Sequence, residues 1–362
     1  MMGKTKLSLL FSFTILLLVS CDPLVTEFPS EQMATEYTAK MLTAPTNKDT
    51  LTVVTWNIRF GIGRAEWFGD SCGELVLFDT DKIQDGLELL AAKITAMDAD
   101  ILLLQEVDTD SKRSAYVDQV QWLLDNTALN YGVYASMWEV QFVPSDGLGR
   151  VNTGNAILSR WPLSEAERIQ LSLRGDQDAL TRAFYVRRNV LRAKVNYPSS
   201  TFWAVDIHAS AFSNDDTKQK QYVEFKAVLD ELDTQGEHFV AGGDLNQLPP
   251  GAVKNNYCDN DRCPGELMED DEGCDFSNET TWISALFNSY VPAVSLVNYL
   301  QDENRYFTHA STHDASDERY QWNRKLDYLF TNTDWVPRST VTHQDAALES
   351  DHVAVAAKWV VP

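Results

Sequence analysis

Basic residues are scarce in this chain. Its 362 residues include 30 Lys and Arg against 53 Asp and Glu, a formal net charge of −23. A surface that acidic repels polyanions at long range, which argues against processive, high-affinity nucleic-acid binding. It does not exclude cutting short or metal-complexed pieces. No internal apolar run reaches the length of a membrane span. Several signatures of common chemistry are also missing. The chain has no His-Glu-x-x-His helix, no cysteine–histidine cluster, no P-loop and no Gly-x-Ser-x-Gly elbow. A zinc hydrolase, a P-loop NTPase and a serine hydrolase of the elbow type are therefore disfavoured. No solenoid repeat is present.

What remains is the composition of a globular protein, 44% hydrophobic and 23% charged, behind an unusual start. Lys4 and Lys6 precede the apolar core "LSLLFSFTILLLVS", which ends at Cys21. That core is too short and wrongly flanked for a stable span, and reads as an export signal. The ending "LVSC" resembles a bacterial lipoprotein signal, which implies lipidation of Cys21 and a membrane-tethered protein in the periplasm or at the cell surface. An uncleaved anchor and a soluble secreted product are the alternatives. Residues 1–21 are thus expected as signal and 22–49 as a flexible tether. Residues 50–362 are expected as one catalytic domain. Losing Lys4 and Lys6 with the signal would move the charge from −23 to −25. Cys72, Cys258, Cys263 and Cys274 remain, an even set that suggests disulfides in an exported protein, with three possible connectivities.

A local unit recurs along the chain. "LTVVTWNIRF" is a β-branched strand. In "DKIQDGLELLAAKITAMDAD", Ile83, Leu87, Leu90 and Ile94 share one helical face, and "ILLLQEVD" is a buried strand ending in acids. Later, "TFWAVDIHAS" is a strand, and a helix follows with Tyr222, Phe225, Leu229 and Leu232 inward and Asp215 or Asp216 as N-cap. "HFVAGGDLN" is again a buried strand. Further strands fit "GVYASMW", "GNAILSRW", "NVLRAKVNY", "LDYLFT" and "VAVAAKWVV". Strands outnumber helices, which predicts an α/β architecture of two face-to-face sheets covered by helices. Residues 251–320, loop-rich and acidic, read as a surface excursion that narrows the cleft. The aromatic stretches "GRAEWFGD" and "SMWEVQF" read as packing for loops.

Polar residues fall repeatedly at the ends of these apolar strands: Asn57, Glu106, Asn155, Asp206, His208, Asp244, Asn246, Asp327, Asp351 and His352. Any one of them fits an ordinary turn. Together they suggest one shared rim, because a buried carboxylate costs several kcal/mol unless it is paired or holds a metal. Carboxylates and amides are hard oxygen ligands suited to Mg²⁺, Mn²⁺ or Ca²⁺. Histidine beside such an ion suits hydrolysis of a phosphate ester.

In this order, "TWNIR", "LLLQEVD", "NTGNAILSR", "GGDLN", "KLDYLF" and "SDH" resemble the endonuclease/exonuclease/phosphatase superfamily, over about residues 51–361. The resemblance implies a four-layered, DNase I-like α/β sandwich of two mainly antiparallel sheets, with the active site at one edge. It implies Glu106 as the main metal ligand, with Asn57 and Asp351 nearby and Mg²⁺ as the expected ion. Asp244 would deprotonate water, Asn246 and Asn155 would donate to the phosphate or to Asp244, and Asp327 would orient His352 toward the phosphate. His208 falls where many members carry a second phosphate-contacting histidine. Of Arg182, Arg187, Arg188 and Arg192, Arg188 aligns most naturally as a phosphate contact. Asp206 departs from the family pattern, which places a neutral residue there, and so bears on phosphate or metal contact. The expected substrate is a small or lipid-linked phosphate ester, hydrolysed by a monomer. A tethered nuclease is the alternative, and a binding protein with a dead site is disfavoured by the intact rim.

Overall fold

The computed structural model describes residues 24–69, 72–211, 213, 215–261, 274–311, 321–346 and 348–362. The expected signal and Cys21 lie outside them. Two seven-stranded sheets stack face to face. The first runs, edge to edge, β13 (Val341–Thr342), β14 (Val355–Val360), β3 (Thr50–Asn57), β4 (Ile101–Asp108), β6 (Gly149–Ser159), β5 (Tyr131–Val143) and β2 (Thr35–Thr38). The second runs β1 (Glu31–Met33), β7 (Leu163–Gln170), β8 (Asn189–Asn196), β9 (Thr201–His208), β10 (Phe239–Asp244), β12 (Asp327–Thr331) and β11 (Val291–Pro292). Each sheet is antiparallel except for one parallel pair at its centre, β3 with β4 and β9 with β10.

Those parallel pairs are the recurring unit seen in the sequence. Helix α1 (Thr80–Ala96) bridges β3 and β4 and buries Ile83, Leu87, Leu90 and Ile94; the Asp79 carboxylate caps it by accepting from the Lys82 amide. Helix α2 (Gln119–Asn126) lies on the same side. Helix α3 (Thr217–Thr234) bridges β9 and β10 and buries Tyr222, Phe225, Leu229 and Leu232. Its N-cap position is Asp216, but the carboxylate that accepts from the Thr217 amide belongs to Asp215. Helices thus cover both outer faces, giving four layers.

The middle apolar layer, between the sheets, includes Leu51, Val53, Ile101, Leu103, Ala204 and Val240. Full burial of one such aliphatic side chain stabilises by roughly 1.5–3 kcal/mol. Along the same strands the inward side chains change character. Thr55, Gln105 and Asp206 come next, and Asn57, His208 and Asp244 last, all buried. The site is the polar end of the inter-sheet core.

Residues 31–38, within the stretch expected as a tether, are instead edge strands, one on each sheet, with Ala34 buried between them. The excursion is pinned by a Cys258–Cys274 disulfide; Cys72 is also disulfide-bonded, and Cys263 lies outside the described residues. Among the described residues, no helix is long and apolar enough to cross a membrane.

Candidate active site

The end of β3 starts the site. The Asn57 side-chain amide donates both to Glu106 Oε1 and to Asp244 Oδ2, at 3.1 Å each. It therefore ties one sheet to the other. Glu106 stands where the β4–β6 register shifts between Leu104 and Val107, with φ +56°. A left-handed residue other than glycine costs roughly 1–2 kcal/mol, and such strain concentrates at functional sites. Burial and the neighbouring Asp351 charge both raise the Glu106 pKa. Two neighbouring carboxylates, Glu106 half-buried and Asp351 buried, are the environment that a divalent cation neutralises.

Asp244 ends β10 after Gly242 and Gly243. Gly243 has φ +143°, and a Cβ there would sit 1.8 Å from the Ile207 carbonyl oxygen, so only glycine brings β10 this close to β9. Asp244 Oδ1 accepts from the Asn246 amide at 3.0 Å, and Asp244 Oδ2 lies 3.4 Å from His208 Nε2 and 3.7 Å from His352 Nε2. Burial is the main reason its pKa is raised to about 7, with Asp327 adding to the rise and His352 opposing it. Asn246 takes φ +50°, a conformation asparagine tolerates, and its side chain donates to the Ala209 carbonyl at 3.0 Å.

The 350–352 turn closes the site. Ser350 Oγ donates to the Asn57 carbonyl at 2.8 Å, and the His352 carbonyl accepts from Trp56 Nε1 at 2.9 Å. His352 Nδ1 sits 2.8 Å from Asp327 Oδ2. Burial alone would depress the His352 pKa, but Asp327, Asp244 and Asp351 outweigh it and raise it to about 10. Asp351 is held well below the carboxylate range: burial opposes this, and Arg59, 3.4 Å away, overcomes it together with His352. His208 is the opposite case. Burial, Arg188 and His352 all depress it, so it is neutral at ordinary pH.

These groups line a cleft of about 420 Å³ that includes Glu106, Arg188, His208, Asp244, Asn246, Asp351 and His352. Arg188 also donates to the His208 carbonyl at 3.1 Å. Its neighbours are engaged elsewhere, Arg187 with Glu27 at 2.6 Å and Arg192 with Glu167 at 2.7 Å. Asn57 and Asp327 stand one step behind the cleft wall, bonded to residues on it. Asn155 is not brought to the wall; it is buried on β6 and donates to the Asn189 carbonyl at 3.2 Å. Asp206 turns away as well, accepting from Gln105 Nε2 at 2.6 Å inside the inter-sheet core. Trp67 reaches the cleft, while Phe68 and Trp138 pack on a small apolar cluster of Val140, Val143, Leu148 and Val151.

Several participants have no counterpart among the sequence expectations. Arg59 follows Asn57 by two residues and was legible as part of "TWNIR". His309 and Arg324 come from the excursion and its return, where no pattern marks them. Arg324 pairs with Asp261 at 2.5 Å and 2.9 Å over the Tyr257 ring, forming the far wall of the cleft.

Two sheets whose polar ends meet over buried acids, amides and an Asp–His pair define a phosphate-ester hydrolase of the DNase I-like class. A family model described as the Endonuclease/Exonuclease/phosphatase family matches residues 54–352, and the chain belongs to that family. Its fold is similar to an endonuclease/exonuclease/phosphatase from Beutenbergia cavernae DSM 12333, at 20% identity and TM-score 0.54 over 85% of this chain and 71% of that one. It is also similar to the human Nocturnin catalytic domain with bound sulfate anion, at 15% identity and TM-score 0.52 over 90% of this chain and 96% of that one. No curated protein sequence matches this chain.

Proposed function

We propose that this protein is a divalent-metal-dependent phosphoesterase that acts outside the cytoplasm on a small or lipid-linked phosphate ester. The observation that carries the reading is the placement of Asp244. One carboxylate oxygen faces Asn57, His208 and His352 together, and Asp327 stands behind His352.

Glu106, Asp351 and Asn57 would hold the ion, and their hard oxygen donors fit Mg²⁺, with Mn²⁺ or Ca²⁺ as alternatives. The ion would supply charge stabilisation at a phosphoryl oxygen. Asp244, poised near neutrality, accepts the proton of the attacking water. Asn57 and Asn246 fix the carboxylate, one through its side chain and one through its backbone amide. His352, kept cationic by Asp327, donates to the phosphate as charge builds up, and Arg188 and His208 bind the same group. The net charge of −23 and a cleft of this modest volume favour a compact ester over a long nucleic acid. Once the signal is removed, a lipid on Cys21 would keep the enzyme at a membrane, and the chain would act as a monomer.

The test strips the purified protein with EDTA and restores Mg²⁺, Mn²⁺ or Ca²⁺. It is then offered plasmid DNA, sphingomyelin, phosphoinositides and bis(p-nitrophenyl) phosphate, with Asp244→Ala as control. Cleavage of the lipid or small esters that needs both metal and Asp244 is the expected result. Activity indifferent to EDTA and to Asp244→Ala would reject the mechanism. Rapid DNA nicking without ester cleavage would replace the substrate reading with a nuclease.

A further inference from the structure

The cleft contains an imidazole that the hydrolytic scheme does not use. His309 lies on a short segment that runs antiparallel to the 350–352 turn. Isolated β-bridges join His309 to His352 and to Arg324. On either side, the Ala310 amide donates to the Asp351 carbonyl at 3.1 Å and the Val353 amide to the Thr308 carbonyl at 2.8 Å. The backbone therefore fixes His309 directly against the Asp351–His352 pair. The two imidazole rings are 4.6 Å apart and tilted by 49°.

Three features of this arrangement suit a metal. One donor atom from each of His309, Asp351 and His352 lies within 4.8 Å of the others. His309 Nδ1 is buried with no hydrogen-bond partner among the described residues, an unusual state for a ring nitrogen. His352 already has the carboxylate behind it that metal-bound histidines typically have: Asp327 occupies Nδ1 at 2.8 Å and leaves Nε2 facing the cleft. Two imidazoles and one carboxylate select a borderline transition ion over Mg²⁺, which prefers oxygen alone.

We propose that His309, Asp351 and His352 form a nitrogen–oxygen–nitrogen site for a borderline transition cation such as Zn²⁺, and that filling it stops hydrolysis. The donor set differs from the oxygen site at Glu106 and Asn57 by its two ring nitrogens. A cation bound there occupies His352 Nε2, the nitrogen otherwise directed at phosphate, and draws Asp351 away from the oxygen site. Ligation also requires a neutral imidazole, so the ion takes the place of the proton on His352. The inhibition rests on the phosphoesterase reading, but the binding does not.

The test is made without substrate. The full chain, stripped of metal, is titrated with Co²⁺, whose visible absorption reports nitrogen ligation at low coordination number, and Zn²⁺ is then added as competitor. The expected outcome is a saturable Co²⁺ spectrum displaced by Zn²⁺. It should weaken at least about tenfold in both His309→Gln and His309→Ala and persist in Glu106→Gln. Circular dichroism of each variant establishes that it folds, and the glutamine variant preserves side-chain volume. Equal binding by wild type and both His309 variants would overturn the site, as would binding lost in Glu106→Gln but kept in His309→Gln. In the second arm, Zn²⁺ added over excess Mg²⁺ inhibits wild type at a concentration at least about tenfold lower than it needs for His309→Gln. Equal inhibition overturns the inhibitory role. Cobalt binding that depends on His309, in a protein that cleaves no ester, keeps the site and rejects the hydrolase reading.

Discussion

His352 Nδ1 and Asp327 Oδ2 lie 2.8 Å apart, and both residues are buried. Asp327 comes from β12 in one sheet and His352 from the turn that leads into β14 in the other, so the pair joins the sheets at their polar end. The carboxylate fixes the imidazole tautomer and favours its charged form. Asp327→Asn is expected to lower kcat nearly as much as His352→Ala, by roughly 10²–10³-fold each, the usual cost of losing a preorganised donor to a developing charge. Steady-state kinetics on the ester found active in the substrate comparison would check this. An Asp327→Asn enzyme with near-normal turnover contradicts the pairing.

The pH profile follows from the same cluster. Asp244 must lose its proton to act as base, and its pKa is raised to about 7. His352 must keep its proton, and its pKa is raised to about 10. Activity should therefore rise through pH about 7 and fall as pH passes about 10, a bell with a broad top. Replacing Asp327 by Asn removes the largest charge holding the proton on His352, so the alkaline limb should move to lower pH. Measuring kcat/KM against pH at fixed metal concentration in both enzymes tests the assignment. An alkaline limb that stays in place would mean that another group sets it.

The parts of this molecule legible in the sequence are those whose pattern is forced locally. "ILLLQEVD" is apolar on both faces because β4 is covered on both, and its strand is residues 101–108. The rim could be read because acids and amides inside such strings have no cheap explanation but a site. Strands at the edge, and β7 next to it, carry no such signal: β1, β2 and β7 are largely polar because one side faces water, and only pairing with β5, β7 and β8 makes them strands. His309 was invisible for a related reason. Nothing in "YFTHAS" distinguishes it from a loop residue until the excursion folds back onto residues 351–353. Asn155 and Asp206 show the converse, since both satisfy the pattern and yet face the core behind the cleft.

Asp206 leads to a stability prediction. Its side chain is fully buried, and burial raises its pKa well above the carboxylate range, with the Gln105 hydrogen bond opposing the rise. The folded protein therefore keeps the Asp206 proton at pH values where the unfolded chain releases it. A raised carboxylate destabilises progressively as pH climbs above about 4. Asp206→Asn removes that penalty, and its amide can donate to Gln105 Oε1, which has no partner among the described residues. Its melting temperature at pH 8 should exceed wild type by about 2–4 °C, the shift that roughly 1 kcal/mol produces in a large domain. The gain should shrink toward pH 4. Thermal melts across that range decide the matter, and a variant less stable at pH 8 than at pH 4 relative to wild type would show that Asp206 is ionised in the fold.

Lys218 connects the excursion to the site. Its side chain is only 4% exposed; the ammonium donates to the Asn246 carbonyl at 2.9 Å and pairs with Glu279. Burial lowers its pKa, and the Glu279 charge works against that loss. Through Asn246, held at φ +50° with its amide on Asp244, the lysine fixes the loop that orients the base. Lys218→Met should therefore have two separable effects. It leaves Glu279 without its partner, which costs a few kcal/mol, less than the 3–5 of a fully buried pair because Glu279 is 18% exposed. It also loosens the Asn246 loop, lowering kcat by about tenfold or more with a smaller change in KM. Adding Glu279→Gln removes the stranded charge, so the double variant should recover stability without recovering kcat. Denaturant melts and steady-state kinetics on the two variants separate the effects. A double variant that regains both would make Lys218 a structural residue alone, and a single variant with unchanged kcat would remove it from the positioning of Asp244.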